Sequence, residues 1–286
     1  MSNKVAIVTD STAYLPDDSL KNYHITITPL SVIWGEDVYR DGVDHSPEEF
    51  YKRLAGSKTL PTTSQVTPGV MQETFKSLLD QGYDVLGIFL SSKISGTYHS
   101  AVQALDMLGN AKGKVEVVDS LWSTMAMGWP VLTAARAADA GESLSECRRI
   151  TKNACANTGL LFVVETLEFL RRGGRIGGAQ ALLGTALNLK PILEMREGRI
   201  ESVERIRTKH KAIQRVVEIA AERIRGRAPI RLAATHANDE PDAAALLDLA
   251  CTQLNPVETM ICPLSPVIGT HVGPGTVALN FMAGVA

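Results

Sequence analysis

Apolar runs in the first half of the chain end in short polar segments rich in hydroxyl groups. Three such runs, each with the polar segment that follows it, are Lys4 to Thr9 before Asp10-Ser11-Thr12, Asp84 to Leu90 before Ser91-Ser92, and Lys114 to Val118 before Asp119-Ser120. Between the last two, Thr97 to Gly109 carries apolar residues at helical spacing. This alternation predicts strands joined by helices, and hence a parallel, Rossmann-like sheet.

The segment between the first two of these strands favours extended structure. Ile25 to Asp41 is rich in β-branched residues, which predicts a small β insertion in the first domain. Ser46 and Glu49 have the spacing of a capping box, with proline at the first helical position. Thr67-Pro68 predicts a second helix start of the same kind.

The second half of the chain has a different order of elements. Ser143 and Glu146 predict a capping box for a helix over Ser143 to Asn157, and a domain boundary is expected near residue 155. The expected domains are therefore 1–155 and 156–286. Further predicted elements are the strand Leu160 to Glu165, a helix-like stretch Gly178 to Asn188, strands Ile192 to Arg196 and Ile200 to Arg207 around a turn at Glu197-Gly198, a helix Lys209 to Arg225 and a strand Ile230 to His236. The turn suggests a hairpin, so the fold class is α/β with a mixed or antiparallel second sheet.

Composition narrows the class of protein. The 286 residues include 29 Lys plus Arg against 31 Asp plus Glu, and 45% are hydrophobic. A core of that size excludes general disorder, and the balanced charge argues against a nucleic-acid partner. The start of the chain has too short an apolar core for a signal peptide, so a cytoplasmic location is expected. Thr259 to Ala286 has no charged residue, but its prolines and glycines argue against insertion in a membrane.

Two hydroxyl-rich segments are candidates for binding an anion. Ser91 to Tyr98 leaves a buried strand and enters a helix with Ser95 as the expected N-cap, so the amides of Gly96, Thr97 and Tyr98 would face a ligand. Thr62 to Gln65 precedes another helix. Together with Asp10-Ser11-Thr12 and Asp119-Ser120, which follow two of the strands, these four segments predict one polar pocket. In an open α/β sheet such segments gather at the carboxyl ends of the strands, although Ser95 is equally well explained as a simple helix cap.

Cationic candidates come from two glycine-rich segments. Leu170 to Gly178 holds three arginines, among them Arg172, and these are suited to a carboxylate or phosphate, unless the segment is only a solvated connector. His271 lies in a turn rich in glycine and proline and is able to donate to an anion.

Enzymatic alternatives have weaker sequence support. A serine hydrolase would use Ser95, His271 and either Asp10 or Asp119, but no G-x-S-x-G motif is present. Neither nucleotide motif of the P-loop or dinucleotide-binding type occurs. The six histidines lack ligand spacing and the four cysteines include no C-x-x-C pair, so neither a metal nor a cofactor is expected.

Seven short motifs extend in order along nearly the whole chain: Val8-Thr9-Asp10-Ser11-Thr12, Thr63-Ser64-Gln65, Ser91-Ser92 with Ser95-Gly96-Thr97-Tyr98, Val118-Asp119-Ser120, Gly173-Gly174-Arg175-Ile176, Leu189-Lys190-Pro191-Ile192 and His271-Val272-Gly273-Pro274-Gly275. Together they resemble the DegV family of fatty-acid-binding proteins, which includes the B subunits of bacterial fatty acid kinase. One departure is Val66, where the family pattern has proline directly after glutamine. The helix start at Thr67-Pro68 is unaffected.

The resemblance implies a two-domain protein that buries one long-chain fatty acid and performs no chemistry of its own. It implies that a separate ATP-dependent fatty acid kinase subunit phosphorylates the bound carboxylate. The residues expected at the carboxylate are Thr63 and Ser95 as direct ligands, Arg172 and His271 as nearby donors, and Ser64, Gly96 and Thr97 beside them. The family's docking segment for the kinase resembles Val203 to Thr208, with Arg205 and Arg207.

Two questions stay open from the sequence. A lipid sensor without turnover would have the same features as a carrier. Six apolar residues either line the acyl tunnel or belong to the ordinary core, and core is the better interpretation for any single one of them: Leu182, Leu183, Leu187, Leu189, Ile192 and Leu193.

Overall fold

Two large β-sheets and one small sheet organise the part of the chain that the structure describes. The computed structural model describes residues 4–57, 59–182 and 189–285. The first sheet is parallel, and its strands, numbered in chain order, are in spatial order β2 (Ile25–Thr28), β1 (Val5–Asp10), β6 (Asp84–Phe89) and β7 (Val115–Asp119). The carboxyl ends of these strands carry the polar segments that the sequence places after each apolar run.

The second large sheet is mixed. In spatial order its strands are β10 (Arg199–Ile206), β9 (Lys190–Arg196), β8 (Thr158–Val163), β13 (Val277–Ala283), β11 (Ile230–His236) and β12 (Glu258–Pro263). Only β11 and β12 pair in parallel, and β9 and β10 form the hairpin predicted around Glu197-Gly198. The small antiparallel sheet contains β4 (Asp37–Arg40), β3 (Ser31–Trp34) and β5 (Thr62–Ser64). The predicted fold class, α/β with a parallel first sheet and a mixed second one, is confirmed.

Ten α-helices connect the strands in the described part of the chain. They are α1 (Asp17–Asn22), α2 (Pro47–Gly56), α3 (Pro68–Asp80), α4 (Thr97–Met107), α5 (Thr124–Asp139), α6 (Leu144–Ala156), α7 (Glu168–Arg172), α8 (Lys209–Ile224), α9 (Glu240–Leu254) and α10 (Pro266–Val272). Short 3₁₀ turns cover Ser11–Ala13, Gly109–Lys114 and Gly177–Leu182. None of the helices in this part of the chain is both long enough and apolar enough to cross a membrane.

The capping residues explain where several helices begin. Ser46 accepts the Glu49 amide while the Glu49 carboxylate accepts the Ser46 amide, so α2 has the complete box that the sequence predicts. Thr67 caps α3 as expected. At α6 only half of the expected box forms, because the Glu146 carboxylate binds Arg149 instead of the Ser143 amide.

Three further expectations differ from the structure. The segment 25–41 does not form one β insertion, because β2 joins the parallel sheet and only β3 and β4 enter the small sheet, where β5 supplies the third strand. The N-cap of α4 is Gly96 rather than Ser95. In the stretch 178–188, a 3₁₀ turn ends at Leu182, and 183–188 lie outside the described residues. The domain boundary near residue 155 stays a prediction.

Helix α5 is packed between the two large sheets. It contacts β1 and β6 on one side and β8, β11 and β13 on the other, and every residue from 124 to 135 is buried. Asn280 of β13 anchors the start of this helix. Its side-chain oxygen accepts from the Thr124 hydroxyl (2.5 Å) and the Ala126 amide (3.0 Å), while its Nδ2 donates to β11. A buried amide with all its hydrogen-bonding groups paired fixes α5 against the second sheet.

We expect Asn280→Ala to lower the free energy of unfolding by roughly 2–4 kcal/mol, because it leaves buried donors of Thr124 and Ala126 unpaired and opens a cavity. Urea denaturation measures this change. Thr252→Ala removes an exposed hydroxyl on α9 and serves as the control, with an expected change within about 0.5 kcal/mol. Equal effects of the two substitutions would contradict the anchoring role of Asn280.

Candidate functional site

A cavity lies between the carboxyl edge of the parallel sheet, the second large sheet and α10. Its empty volume is about 1090 Å³ with the open space at its mouth included. The apolar lining residues come from both halves of the chain: Leu30, Leu90, Ile94, Leu160, Phe162, Leu170, Met195, Ile200, Leu264, Val267, Ile268, Val272 and Ala278. The polar ones are Thr63, Ser64, Gln65, Ser95, Ser123, Thr124, Arg175, His271 and Thr276, with Gly96 beside them. The exposed lining residues are Ser64 and Gln65, so the mouth is polar.

Thr63 and His271 form a hydrogen-bonded pair in this cavity. Thr63 is on β5 and His271 is on α10, and the Thr63 Oγ1 to His271 Nε2 distance is 2.8 Å. Burial, and secondarily the positive charge of Arg175, lower the pKa of His271 to about 4, so the imidazole is neutral at pH 7. With its proton on Nε2, the ring donates to Thr63 and leaves the threonine hydrogen free to donate to a ligand oxygen. Its Nδ1 is buried and has no hydrogen-bond partner in the described part of the chain.

The arginine that lines the cavity is Arg175. Its Nε donates to the Ile94 carbonyl (3.0 Å) and its Nη1 to the Gly173 carbonyl (2.7 Å), so it joins the segment of Ser95 to the glycine-rich segment. Arg172, which sequence reasoning selects, is not among the lining residues and forms an exposed ion pair with Glu168. The sequence shows three arginines in this segment but not which of them turns inward.

Ser95 lines the cavity at the start of α4. Its hydroxyl accepts the Thr97 amide (3.3 Å) and shares a hydrogen bond with the Thr97 hydroxyl (3.1 Å). Thr97 itself is buried and does not line the cavity. The Gln65 carboxamide packs against Gly96, where a Cβ would lie 1.8 Å from Gln65 Oε1. Glycine at 96 therefore allows the residue after β5 to approach the start of α4.

The other hydroxyl-rich segments have structural partners instead. The buried Asp10 carboxylate accepts from the Thr12 amide and the Leu90 amide, and burial raises its pKa to about 6. Ser120 donates to the Phe89 carbonyl (2.7 Å). Of the four segments expected to form one polar pocket, only Thr63 to Gln65 and the segment of Ser95 reach the cavity.

The geometry does not join Ser95 to His271 as nucleophile and base. His271 Nε2 is bonded to Thr63, and Ser95 Oγ is bonded to Thr97. A hydrolase of this type needs its base within hydrogen-bond reach of the nucleophile. Across the described ranges there is also no cluster of three His, Cys, Asp or Glu side chains suited to a metal ion.

The apolar lining differs from the leucines considered from the sequence. Leu182, Leu189, Ile192 and Leu193 are not lining residues, and Leu183 and Leu187 lie outside the described residues. Met195 and Ile200, which pair across the β9–β10 hairpin, line it instead. Side chains alternate along a strand, so Leu193 and Met195 lie on the same face of β9. This alternation is the sequence signal that points to Met195.

Arg205 and Arg207 lie away from the cavity. Arg205 is on β10, an edge strand of the mixed sheet, and Arg207 follows it directly. Both side chains are exposed, and no described residue forms an ion pair with either.

Comparisons with known proteins agree in both sequence and structure. The model of the family described as "Uncharacterised protein, DegV family" matches residues 4–284. A DegV domain-containing protein from Streptomyces coelicolor is 40% identical over 96% of this chain and 97% of its own. A fatty-acid-binding DegV family protein from Thermus thermophilus has a TM-score of 0.92 and 35% identity, covering 98% of this chain and 99% of its own.

A third comparison concerns DegV of Bacillus subtilis, described as a fatty acid binding protein. Its structure has a TM-score of 0.89 and 35% identity, covering 99% of this chain and 100% of its own. Since the family model and these relatives extend over nearly the whole chain, the protein described here belongs to the DegV family.

Proposed function

We propose that this chain binds one long-chain fatty acid in the cavity, with the carboxylate at Thr63 and Ser95 and the acyl chain against the apolar lining. The observation that carries the proposal is one cavity that combines an apolar wall with a polar mouth holding the Thr63–His271 pair. The two fatty-acid-binding relatives of known structure support it, because each aligns with this chain over almost its full length.

Burial of the acyl chain supplies most of the affinity. At about 0.8 kcal/mol per methylene, a chain of ~14 methylenes gains roughly 11 kcal/mol before the cost of ordering it. The carboxylate then needs hydrogen bonds that replace its water. The hydroxyls of Thr63 and Ser95 meet that need without a fully buried ion pair, whose desolvation often cancels its attraction.

Arg175 adds a cation beside these hydroxyls. Two of its nitrogens are held by backbone carbonyls, which fixes the guanidinium at the side of the cavity. Its charge favours the ionised acid over a neutral lipid, and the neutral His271 next to it completes the hydrogen-bonding set. Ser64 and Gly96 lie beside this group, while Thr97 supports Ser95 from below.

We further propose that a separate ATP-dependent kinase subunit phosphorylates the bound carboxylate. The exposure of Ser64 and Gln65 supports this, because a head group beside them is accessible from outside while the tail is buried. Exposed Arg205 and Arg207, without partners in the described structure, are suited to an acidic docking surface on that subunit. In this proposal the chain binds the lipid and has no catalytic residue of its own.

Extraction of the purified protein with organic solvent should recover a long-chain fatty acid detectable by mass spectrometry. We expect the double variant Thr63→Ala, Ser95→Ala to bind added oleate about 10- to 100-fold more weakly, because two hydrogen bonds to a charged group are lost. Thr62→Ala is the matched control, since Thr62 is exposed, alternates with Thr63 along β5 and does not line the cavity. If the wild-type protein neither contains nor binds a fatty acid, the function is wrong.

The two arginines of the glycine-rich segment give distinct expectations. Arg175→Gln should weaken binding of oleate but not of oleyl alcohol, because only the acid is charged. Arg172→Gln changes an exposed ion pair and should leave both affinities within about twofold. Titration of each lipid against each variant measures this. Loss of acid preference in Arg172→Gln alone would instead support the assignment made from sequence.

Docking to the kinase subunit is tested separately from lipid binding. We expect Arg205→Glu with Arg207→Glu to lower acyl phosphate formation by the cognate kinase and ATP at least about tenfold, because two cations of the docking surface become anions. Oleate affinity should stay unchanged, and Arg225→Glu, at another exposed arginine, serves as the control for a charge reversal elsewhere on the surface. Undiminished acyl phosphate formation would remove these residues from the interface. Lipid binding without any acyl phosphate formation by wild type would favour the sensor alternative.

A further inference from the structure

A buried carboxyl group lies behind the wall of the cavity. Asp41 follows β4, is 2% exposed and does not line the cavity. Its backbone amide donates to the Leu30 carbonyl (2.8 Å). Burying a carboxyl group costs free energy, so its hydrogen bonds in such a position suggest a structural or functional role.

The side chain of Asp41 joins the two halves of the chain. Its Oδ2 accepts from the Ser11 hydroxyl (2.7 Å), which in turn accepts the Leu30 amide (3.1 Å). From the second half, the Ser265 hydroxyl donates to the same carboxylate and the Val267 amide approaches Oδ1 at 3.4 Å. Leu30 and Val267 are lining residues of the cavity, so one carboxylate sets the position of two of its walls.

The contact with Val267 has a consequence for the head-group end. Val267 is in the first turn of α10, and His271, four residues later, is bonded to Thr63. Residues four apart in a helix are one turn apart on the same face. Movement of the first turn of α10 relative to Asp41 therefore changes the Thr63–His271 distance directly.

We propose that Asp41 is a positioning residue for fatty acid binding, which in its ionised form holds α10 and Leu30 in place and so slows release of the lipid. This inference rests on the proposed function. It assigns Asp41 no contact with the ligand.

Several titratable groups surround Asp41. Asp10 faces it from the end of β1, Tyr14 follows the first 3₁₀ turn with Asp17 beyond it, Tyr51 comes from α2 and Cys262 from β12; in addition, a backbone bridge joins Asp41 to His45. Burial raises the pKa of Tyr14 to about 12 and of Cys262 to about 11, so both are neutral near pH 7. Among these groups, the negative charge of Asp10 opposes ionisation of Asp41.

Burial raises the pKa of Asp41 to about 7, so ionisation of this carboxyl group opposes folding near neutral pH. Between pH about 4 and about 7, the folded chain keeps a proton on Asp41 that the unfolded chain has lost. The contribution of this protonation to the free energy of unfolding is complete below pH about 4 and is lost as the pH rises through about 7. Ionisation nevertheless strengthens the hydrogen bonds from Ser11, Ser265 and Val267, since bonds to a charged acceptor are stronger. Removing the charge should therefore stabilise the fold at alkaline pH while loosening α10.

The test measures lipid release and stability in the same variants. A dansyl-labelled fatty acid bound to full-length protein is displaced by excess oleate, and its dissociation rate is followed from pH 6 to pH 8. We expect Asp41→Asn to dissociate about fivefold faster than wild type at pH 8, because charge-assisted bonds are lost. Its thermal midpoint at pH 8 should be equal to or higher than that of wild type. Wild-type dissociation should accelerate as the pH falls, while that of Asp41→Asn should stay flat.

Asp44→Asn is the matched control, because Asp44 is three residues away but forms an exposed ion pair with Arg40. It should keep the wild-type rate and pH profile. Titration of the ligand itself would persist in Asp41→Asn, so a flat profile in that variant assigns the pH dependence to Asp41. Ser11→Ala keeps Asp41 and removes one of its hydrogen-bond donors. If Asp41→Asn does not fold, faster lipid release by Ser11→Ala supports the proposal. Wild-type rates in Asp41→Asn and Ser11→Ala, or a pH profile retained by Asp41→Asn, would overturn the proposal. Failure of wild type to bind any fatty acid would instead contradict the proposed function.

Discussion

The burial of α5 between the two large sheets is the constraint on which the cavity depends. Residues 124–135 have no solvent-facing side, and Asn280 ties the first turn of the helix to the mixed sheet. Ser123 and Thr124, at its start, are lining residues. Because protein interiors are close-packed, a helix held on both sides keeps the facing walls of the cavity at a fixed separation.

Buried carboxylates add a second set of links at the same level of the fold. Asp10 accepts the Leu90 amide after β6, and Asp41 holds Leu30 and Val267. The Leu90 and Val267 amides bond directly to a carboxylate, and the Leu30 amide reaches one through the Ser11 hydroxyl, while all three side chains line the cavity. This arrangement keeps the wall apolar and still fixes the segments that carry it, which hydrophobic contacts alone do less specifically.

The sequence predicted the elements well and their partners less well. Strand β11 and the capping box of α2 follow directly from local pattern, because periodicity and capping are properties of neighbouring residues. The membership of β2 in the parallel sheet depends on pairing with β1, which local pattern does not encode. Likewise, Arg172 and Arg175 have nearly identical surroundings in sequence, and only the fold directs Arg175 inward and Arg172 to Glu168.

The same limit explains why the sequence predicts more hydroxyl-rich segments at the cavity than the structure places there. Serine and threonine side chains also form hydrogen bonds with nearby backbone groups. Ser11 and Ser120 have internal acceptors within 2.7 Å, whereas the hydrogen of Thr63 is available to a ligand when His271 donates to Thr63 from Nε2. What separates a binding hydroxyl from a structural one is therefore the protonation state and orientation of its partner. At the polar end of this cavity that condition is met by the His271 tautomer that carries its proton on Nε2.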